Sequence, residues 1–541
     1  MDSSSPVLLD PSCRVSDEDL DPKPQGSYCS SQTATWKVER PLGDSELSYF
    51  LPSRATGVND MYLHLGFVAP EHVVRRARVR MVWAILRIRH PLLASKVVMH
   101  DYDDVRFVFT PPQSVEDALV DADRNLEYRT STKDELIDSY LNGDRTLSND
   151  RVSYLVVSQG GTSLPSPPLT PRSTSSFDER ESPSYNHDLM ICAGHFLGDG
   201  MALHQFANDL FGLLGSDKTI SDLEAQLKEE LSSRWGTDST KATAVLPNAL
   251  EDNFTVSHSK LRSAVEKVDF QLSQQRLVGG HSFRRQTKKP RHTIVPTVSY
   301  DPERTTSILK KCKAHGVSIS AALFAICNIA WAKMCSEKPN LSMMMYSALN
   351  LRPYFTVKPA NDSYWFLAVG YFNVILPTFI PRSIELSSVF WHRARIAKEQ
   401  STRAAKNRMI VSRSLLMAEE RGQRARLWAK EDDERERGTF VPPPPVPTAD
   451  TALRTPSAAL IGLSLLGNLD GIYKHGTFPA IKLHTLTTGS RQRSGGMLLF
   501  GYTFAGKLWI SLGYDVNGFE KVMVEQFWEN VLQTMDDLLV Q

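Results

Sequence analysis

Residues 191–206 read ICAGHFLGDGMALHQF, and within them one hydrophobic pattern gives way to another. The continuous apolar run before His195 predicts a buried strand, and the stretch from Gly200 onward has the spacing of an amphipathic helix. His195 and Asp199 therefore lie at a predicted strand-to-helix corner, where Gly198 and Gly200 are expected to permit a sharp turn. Such corners expose a side chain to a cleft while the flanking elements hold the backbone.

Three explanations fit a histidine at this corner. It could be a core residue hydrogen-bonded to Asp199, a metal ligand together with Asp199 and His204, or a general base. Zinc sites usually need at least three protein ligands, and no further His, Cys or Glu cluster accompanies these residues, so we expect no metal. A neutral imidazole can take a proton from an alcohol or amine near neutral pH. No G-x-S-x-G segment is present, so a covalent acyl-enzyme is not indicated.

The composition excludes several classes of protein. The 541 residues include 62 basic and 61 acidic side chains, a formal net charge of +1, which favours neither nucleic acid nor an anionic membrane as a partner. No apolar stretch reaches the roughly 18 residues of a membrane span. The six cysteines form no CxxC pair, and the N-terminus has no apolar leader. We therefore expect a cytoplasmic protein with reduced thiols.

The length predicts two core-bearing domains. We expect a disordered tail over 1–35, a first domain over 36–270 and a second domain over 271–541. The Ser- and Pro-rich residues 159–187 are expected to be a disordered insertion that lengthens a hairpin connection.

Both halves mix strands with helices, so the predicted fold class is α/β (α+β). The segment 317–335 is apolar nearly all round, which predicts a buried helix. A charged pattern over 385–437 predicts one long helix with a solvated face.

HFLGDG at 195–200 resembles the HxxxDG motif of acyl-CoA-dependent acyltransferases in the BAHD and condensation-domain superfamily. Other segments resemble the family in order and spacing over residues 36–541. They are RHPLLAS (89–95), VSISAALFAICNIAWAK (317–333), SALNLRPYF (347–355) and GYFNVILP (370–377). Within the superfamily the chain is most similar to fungal trichothecene 15-O-acetyltransferases.

The resemblance implies two chloramphenicol-acetyltransferase-like domains, each a mixed sheet with flanking helices, and an active-site channel between them. It implies an O-acyltransferase that uses acetyl-CoA as co-substrate, has no bound cofactor and acylates a hydrophobic alcohol such as a trichothecene-like terpenoid. His195 and Asp199 are the implied catalytic pair. His195 would be the general base and Asp199 would form a salt bridge with Arg352, with Gly200 permitting the turn. We expect a monomer that binds neither nucleic acid nor membrane.

Two departures from the family bear on the mechanism. Condensation domains usually carry a second histidine directly before the motif, where this chain has Gly194, and this disfavours a carrier-protein-dependent condensation reaction. The plant-type Asp-Phe-Gly-Trp-Gly segment is absent, and SLLGNLDGIY (464–473) occupies its place. Ser464, Asn468 and Asp470 are therefore candidates for polar lining, although Asn468 also fits a turn.

The phosphates of an acyl-CoA need cations, and no phosphate-binding glycine loop is visible. The candidate cations are Lys310, Lys311, Lys313, Arg491 and Arg493. The candidates for the channel lining are Tyr371, Phe372 and Asn373, together with Asn468. Surface charge and core packing are the competing interpretations of these residues. A carrier-protein-dependent enzyme and a non-catalytic binding protein of the same fold remain alternative functions.

Overall fold

The computed structural model describes residues 36–159, 183–236, 245–255, 259–286, 289–334, 339–442 and 457–540. The predicted tail over 1–35 lies outside the described residues, as do residues 160–182 of the predicted insertion.

The first half of the chain alternates short strands with amphipathic helices. Its strands are β1 (Val38–Pro41), β2 (Met61–Pro70), β3 (Lys96–Met99), β4 (Val105–Phe109), β5 (Leu126–Arg129), β6 (Ser153–Ser158) and β7 (Ser184–Ala193). Its helices are α1 (Asp44–Ser53), α2 (Arg76–Arg89), α3 (Val115–Arg124), α4 (Lys133–Asn142), α5 (Gly200–Leu214), α6 (Ile220–Trp235) and α7 (Lys260–Gln275).

The second half has longer strands and longer helices. Its strands are β8 (Thr293–Ile294), β9 (Thr297–Tyr300), β10 (Ser342–Asn350), β11 (Val369–Pro377), β12 (Ala459–Asn468), β13 (Lys482–Ser490), β14 (Met497–Phe504) and β15 (Lys507–Asp515). Its helices are α8 (Pro302–Ala314), α9 (Ile319–Met334), α10 (Leu386–Ala405), α11 (Ile410–Glu436) and α12 (Lys521–Met535).

Two large mixed sheets organise these elements, which confirms the predicted fold class. The five-stranded sheet has the order β13-β2-β7-β6-β5, and the seven-stranded sheet has the order β11-β10-β12-β14-β15-β8, with β9 also paired to β15. A three-stranded sheet has the order β1-β4-β3. Parallel pairs join β5 to β6 and β10 to β12 to β14, and the remaining pairs are antiparallel.

Strand β13 belongs to the second half in sequence but completes the sheet of the first half. Leu486 of β13 pairs with Leu65 of β2 in an antiparallel register. The described residues from Lys37 onward form a single compact unit, so the domain boundary at residue 270 stays a prediction. The pairing of β13 with β2 links the two halves through backbone hydrogen bonds.

Each large sheet has its own hydrophobic core. The first core includes Phe206 and Leu210 of α5, and the second surrounds α9, where every residue from Ala321 to Trp331 is buried. The prediction of a buried helix over 317–335 is therefore confirmed for α9. A helix that is apolar on all sides is stable only when other elements cover it completely.

The predicted helix over 385–437 is two helices, α10 and α11. The chain leaves the helical path after Lys406, where the Asn407 side-chain oxygen accepts a hydrogen bond from the backbone N–H of Met409 at 2.8 Å. An asparagine that bonds its own backbone in this way competes with helical hydrogen bonds. The prediction of one continuous helix is wrong for that reason.

The predicted hairpin around the Ser- and Pro-rich insertion is present, since β6 and β7 pair antiparallel from Ser153 opposite Ala193 to Ser158 opposite Asp188. However, β7 begins at Ser184, so residues 184–187 are strand and not part of a disordered insertion. These residues pair with β2, which extends beyond β6 as far as Pro70.

Within the described ranges, no single helix is long and apolar enough to cross a membrane. Among the described residues, only α8 and α9 taken together have the length and composition of a membrane span, and the two helices are bent by 92° relative to each other.

Candidate active site

His195 follows directly from the central part of the first sheet. Ala193, the last residue of β7, is paired on one side with Met61 of β2 and on the other with Ser153 of β6. A single 3-10 turn, His195–Leu197, then leads into α5. The corner predicted from the change in periodicity is thus present, and two neighbouring strands fix its position.

Gly194 is required by the side chain that follows the histidine. A Cβ atom at Gly194 would lie 2.4 Å from Cε1 of Phe196, closer than any carbon contact allows. The Phe196 ring is buried and stands edge-on to Phe50 at 5.2 Å. This chain therefore cannot hold a second histidine at position 194 without displacing a core aromatic ring.

The tautomer of His195 follows from its hydrogen bond. Its Nδ1 lies 3.0 Å from the carbonyl oxygen of Gly198. A carbonyl can only accept, so Nδ1 carries the proton and the neutral ring leaves Nε2 with a free lone pair. This orients an unprotonated nitrogen away from the corner that holds the ring.

The environment also lowers the pKa of His195. Burial is the largest cause, and the positive charge of Arg421 acts in the same direction. The Asp199 carboxylate and the Gly198 carbonyl oppose this shift without reversing it. His195 is consequently a neutral base at pH 7.

Asp199 holds the corner and does not contact the histidine ring by any hydrogen bond. It is 2% exposed and caps α5, with Oδ1 accepting the backbone N–H of Ala202 at 3.1 Å. Arg352 donates from Nη1 to Oδ2 at 2.9 Å and to Oδ1 at 3.1 Å, so the predicted ion pair is present. Oδ2 also accepts the backbone N–H of Ala368 at 2.8 Å. The carboxylate is fully used by these contacts.

Arg352 extends the same network into the second half of the chain. Its Nη2 donates to the carbonyl oxygen of Phe366 at 2.8 Å and to that of Tyr364 at 3.3 Å. Its guanidinium carbon also lies 4.8 Å from the centre of the Phe366 ring. Arg352 thereby ties the segment before β11 to the N-terminus of α5, and Asp199 is the link.

Gly200 has a different role from the one predicted. Neither Gly198 nor Gly200 adopts a positive φ, so the turn does not depend on the conformational freedom of glycine. A Cβ atom at Gly200 would instead lie 3.1 Å from Cδ2 of Leu466. The small residue lets the end of β12 approach the first turn of α5.

Tyr49 of α1 covers one side of His195. The two rings are stacked, with centroids 4.2 Å apart and planes 20° apart. The Tyr49 hydroxyl is hydrogen-bonded to the hydroxyl of Tyr371 on β11. The Arg421 guanidinium carbon lies 5.1 Å from the Tyr49 ring centroid and 4.6 Å from that of Tyr371. Burial and the neighbouring Tyr371 phenol raise the pKa of Tyr49, so the Tyr49 hydroxyl is protonated at neutral pH.

A cavity of about 190 Å³ lies on the other side of this tyrosine pair. Its walls come from α1, α7, β11, the end of α10 and α11, and they include Tyr371, Asn373 and Arg421. Tyr49 lines the cavity, whereas His195 does not. The Tyr49 ring therefore forms the partition between the cavity and the imidazole.

His204 is a hydrogen-bonded core residue. It is 1% exposed, its Nδ1 lies 3.0 Å from the Tyr473 hydroxyl, and burial lowers its pKa to about 3. Asp199 is already paired with Arg352. In the part of the chain that the structure describes, no group of three or more His, Cys, Asp or Glu is placed to hold a metal ion.

The three polar residues predicted around the end of β12 differ in whether their side chains are already hydrogen-bonded within the protein. Asn468 is exposed and accepts a hydrogen bond from Thr503 at 3.2 Å, and Asp470 accepts the backbone N–H groups of Ala505 and Gly506. These contacts make Asn468 and Asp470 turn residues, and a channel-lining role for Asn468 stays a prediction. Ser464 is half-buried.

Ser464 lies on the face of β12 that points toward the first half. Leu463 belongs to the second hydrophobic core, whereas Leu466 packs on the first core and approaches Gly200. Because side chains alternate along a strand, Ser464 is on the side opposite Leu463. Its hydroxyl has no hydrogen-bond partner among the described residues.

The predicted phosphate-binding cations are separated by the fold. Lys310 is exposed on α8, a helix of the second core, and does not line the cavity. Arg491 is 3% exposed and donates from Nη2 to the carbonyl oxygens of Gly143 at 3.0 Å and Asp144 at 2.9 Å. This clamp does not fit the predicted binding of phosphate. Arg493 is exposed, and its charge opposes the rise in the pKa of Tyr346 that burial causes.

The channel candidates on β11 line the cavity behind Tyr49, and their place in a substrate channel stays a prediction. Tyr371 and Asn373 both line the cavity, and the alternation of the strand directs their side chains to the same face. Phe372 also lines the cavity and packs against the second hydrophobic core. Tyr49 and Arg421 were not predicted, and neither lies in a motif that distinguishes it from other helical residues.

Comparison with known proteins supports the fold. No protein-family model matches the chain, and no curated protein sequence matches it. Trichothecene 15-O-acetyltransferase TRI3 from Fusarium sporotrichioides superimposes with a TM-score of 0.69 at 13% identity, over 95% of this chain and 98% of that one. The cyclization-docking bidomain of the EpoB nonribosomal peptide synthetase from Sorangium cellulosum superimposes with a TM-score of 0.52 at 11% identity, covering 93% and 85%.

The epimerization domain from the third module of tyrocidine synthetase B gives a TM-score of 0.52 at 11% identity, over 94% of this chain and all of that one (100%). At these identities the likeness is one of fold. The chain has the condensation-domain-like fold that this O-acetyltransferase shares with domains of peptide synthetases.

Proposed function

We propose that the chain is an acyl-CoA-dependent O-acyltransferase in which His195 is the general base. The observation that carries this proposal is the hydrogen bond from Nδ1 to the Gly198 carbonyl. It leaves Nε2 as a free base on a rigid corner, in a ring whose pKa is lowered by burial. General bases work best when they are neutral and fixed at the operating pH.

In the proposed reaction, Nε2 of His195 removes the proton from the acceptor hydroxyl as its oxygen attacks the thioester carbonyl. The tetrahedral intermediate collapses with loss of the CoA thiolate, which takes the proton back from Nε2. The imidazolium that exists between these steps lies near Asp199, whose charge acts to raise the pKa of His195. Asp199 thus supports the charged ring without receiving the proton.

The oxyanion of the intermediate needs a hydrogen-bond donor. Asn468 and Asp470 are engaged in turns, which leaves Ser464 as the candidate on β12. Its hydroxyl faces the first half beside the contact between Leu466 and Gly200. We assign the oxyanion contact to Ser464, and its replacement by alanine should lower kcat by about 100-fold.

Gly194 supports free acyl-CoA as the donor in preference to a carrier-bound acyl group, because the Phe196 ring excludes a second motif histidine. The likeness to a trichothecene O-acetyltransferase supports a hydrophobic hydroxylated terpenoid as acceptor and acetyl-CoA as donor.

The test is turnover of acetyl-CoA with a panel of terpenoid alcohols, measured as released CoA thiol and as acetylated product. His195→Ala should lose about 1,000-fold or more in kcat/KM, and Ser464→Ala should lose less. His392→Ala is the matched control, because His392 is an exposed histidine on α10. An unchanged rate in His195→Ala would refute the proposal. Turnover only with an acyl carrier protein would favour the condensation-type alternative.

A further inference from the structure

Arg421 is a half-buried cation without a carboxylate partner. Its guanidinium lies against the rings of Tyr49 and Tyr371 and lines the cavity behind them. Across the described residues, no Asp or Glu forms an ion pair with it. Neighbouring arginines on α11 differ, since Arg413 pairs with Asp269 and Arg426 pairs with Asp44.

The cavity therefore has an uncompensated positive charge. Arg413 also lines it, but two hydrogen bonds of 2.7 and 2.8 Å to Asp269 neutralise that charge. Arg421 supplies the excess. A cation removed from water without a counter-charge is costly, and an anionic ligand would relieve that cost.

Neutral donors converge on the same point. The hydroxyls of Tyr49 and Tyr371 share one hydrogen bond, which uses one of their two protons and leaves the other for a ligand. Asn373 lines the cavity from the same strand as Tyr371. A guanidinium fork beside a phenol and an amide is a donor set that suits a planar carboxylate.

The position of Arg421 identifies which part of a substrate would carry the anion. Its guanidinium carbon is 5.1 Å from the Tyr49 ring centroid, and that centroid is 4.2 Å from the centroid of His195. The distance from guanidinium to imidazole cannot exceed these two lengths combined. An extended pantetheine arm places the first phosphate of CoA roughly 15 Å from the thioester sulfur. The phosphates are therefore too far from the reacting carbonyl to be the ligand of Arg421.

We propose that Arg421, with the tyrosine pair Tyr49 and Tyr371, binds a carboxylate located on the acyl group or on the acceptor close to the reacting atoms. The inference rests on the proposed acyl transfer at His195 and specifies its substrate class further. The Tyr49 ring must turn away from His195 for the ligand to reach both the cavity and the base.

The experiment measures binding by calorimetry and needs no turnover. Succinyl-CoA is compared with butyryl-CoA to test a carboxylate on the acyl donor, and mandelate is compared with methyl mandelate to test a carboxylate on the acceptor. Each pair is titrated into the wild-type chain, Arg421→Gln, Arg421→Lys and Arg424→Gln. Arg424 is the control on the same helix, because it is exposed and paired with Glu420 at 3.5 Å.

In the wild type, the charged member of one pair should bind about tenfold more tightly than its neutral analogue. Arg421→Gln should remove this preference, Arg421→Lys should keep part of it, and Arg424→Gln should leave it unchanged. The pair that shows the preference identifies donor or acceptor as the source of the carboxylate. Equal affinity within each pair, or a preference that persists in Arg421→Gln, would overturn the proposal.

Failure here is distinguishable from failure of the acyltransferase function. A carboxylate preference that depends on Arg421, in a protein with no acyl transfer, would refute the function and keep the site. Acetyl transfer that depends on His195, without any carboxylate preference, would refute the site and keep the function.

Discussion

Replacement of Asp199 by alanine should destabilise the whole fold and not only the active site. The carboxylate caps α5 through the N–H of Ala202, and loss of such a cap costs about 1 kcal/mol. It also pairs with Arg352, and breaking a fully buried pair costs about 3–5 kcal/mol. The Arg352 side chain is 21% exposed, so water recovers part of that cost. We expect Asp199→Ala to lower the free energy of unfolding by about 3–4 kcal/mol.

Equilibrium unfolding in urea, followed by tryptophan fluorescence, measures this loss, and a double-mutant cycle separates its parts. In an Arg352→Ala background the same substitution should cost only about 1–2 kcal/mol, because the cap and the contact with Ala368 remain to be lost. The cost of Asp199→Asn in the wild-type background should fall between the costs of Asp199→Ala in the wild-type and Arg352→Ala backgrounds, since asparagine is also a good N-cap. An equal cost in both backgrounds, or a cost below about 1 kcal/mol in the wild type, would refute the role assigned to Asp199.

The lowered pKa of His195 should place the acid limb of the kcat/KM profile below pH 6.5. Above this limb the rate should be constant, because the neutral base is then fully populated. An acid limb above pH 6.5 would contradict the lowered pKa. Gly194→Ala should lower the free energy of unfolding by about 1–3 kcal/mol through the clash with Phe196, and an unchanged urea midpoint would exclude the clash. Arg491→Ala should cost about 2–4 kcal/mol because it removes two hydrogen bonds from a buried cation to the carbonyls of Gly143 and its neighbour. The KM for acetyl-CoA should stay the same, and a raised KM would restore Arg491 as a phosphate ligand.

The corner that carries His195 was predictable because two local signals meet there. A continuous apolar run and a helical period change over within a few residues, and both reflect local burial. The same is true of α9, whose uniform apolarity requires burial on every side. Asp199 and Arg352 are 153 positions apart, so no local signal predicts that they pair. The prediction of this ion pair came from the resemblance to a family.

Features that depend on long-range packing were not predictable. Tyr49 stacks on His195 and Arg421 packs against Tyr49 because α1 and α11 pack together, and no periodicity in either helix indicates these contacts. The pairing of β13 with the first sheet has the same cause, since strand propensity does not specify a partner strand.

The roles of some charged and small residues depend on surroundings that the sequence does not show. The sequence suggests that Arg491 is a surface cation, but in the structure it is buried and donates to the carbonyl oxygens of Gly143 and Asp144. The sequence predicts Gly200 to be a flexible turn residue, whereas in the structure its small size leaves room for the close approach of Leu466. At the break between α10 and α11, the Asn407 side chain bonds the backbone N–H of Met409, a contact that the charged pattern of this segment does not indicate.

The proposed mechanism requires that His195 is a neutral imidazole with its proton on Nδ1 and a free Nε2. Nitrogen NMR of the ¹⁵N-histidine-labelled protein at pH 7 tests it directly, with His195→Gln to assign the signals. The spectrum should show a protonated Nδ1 and an unprotonated Nε2 for His195. A proton on Nε2 alone, or an imidazolium at pH 7, would contradict it.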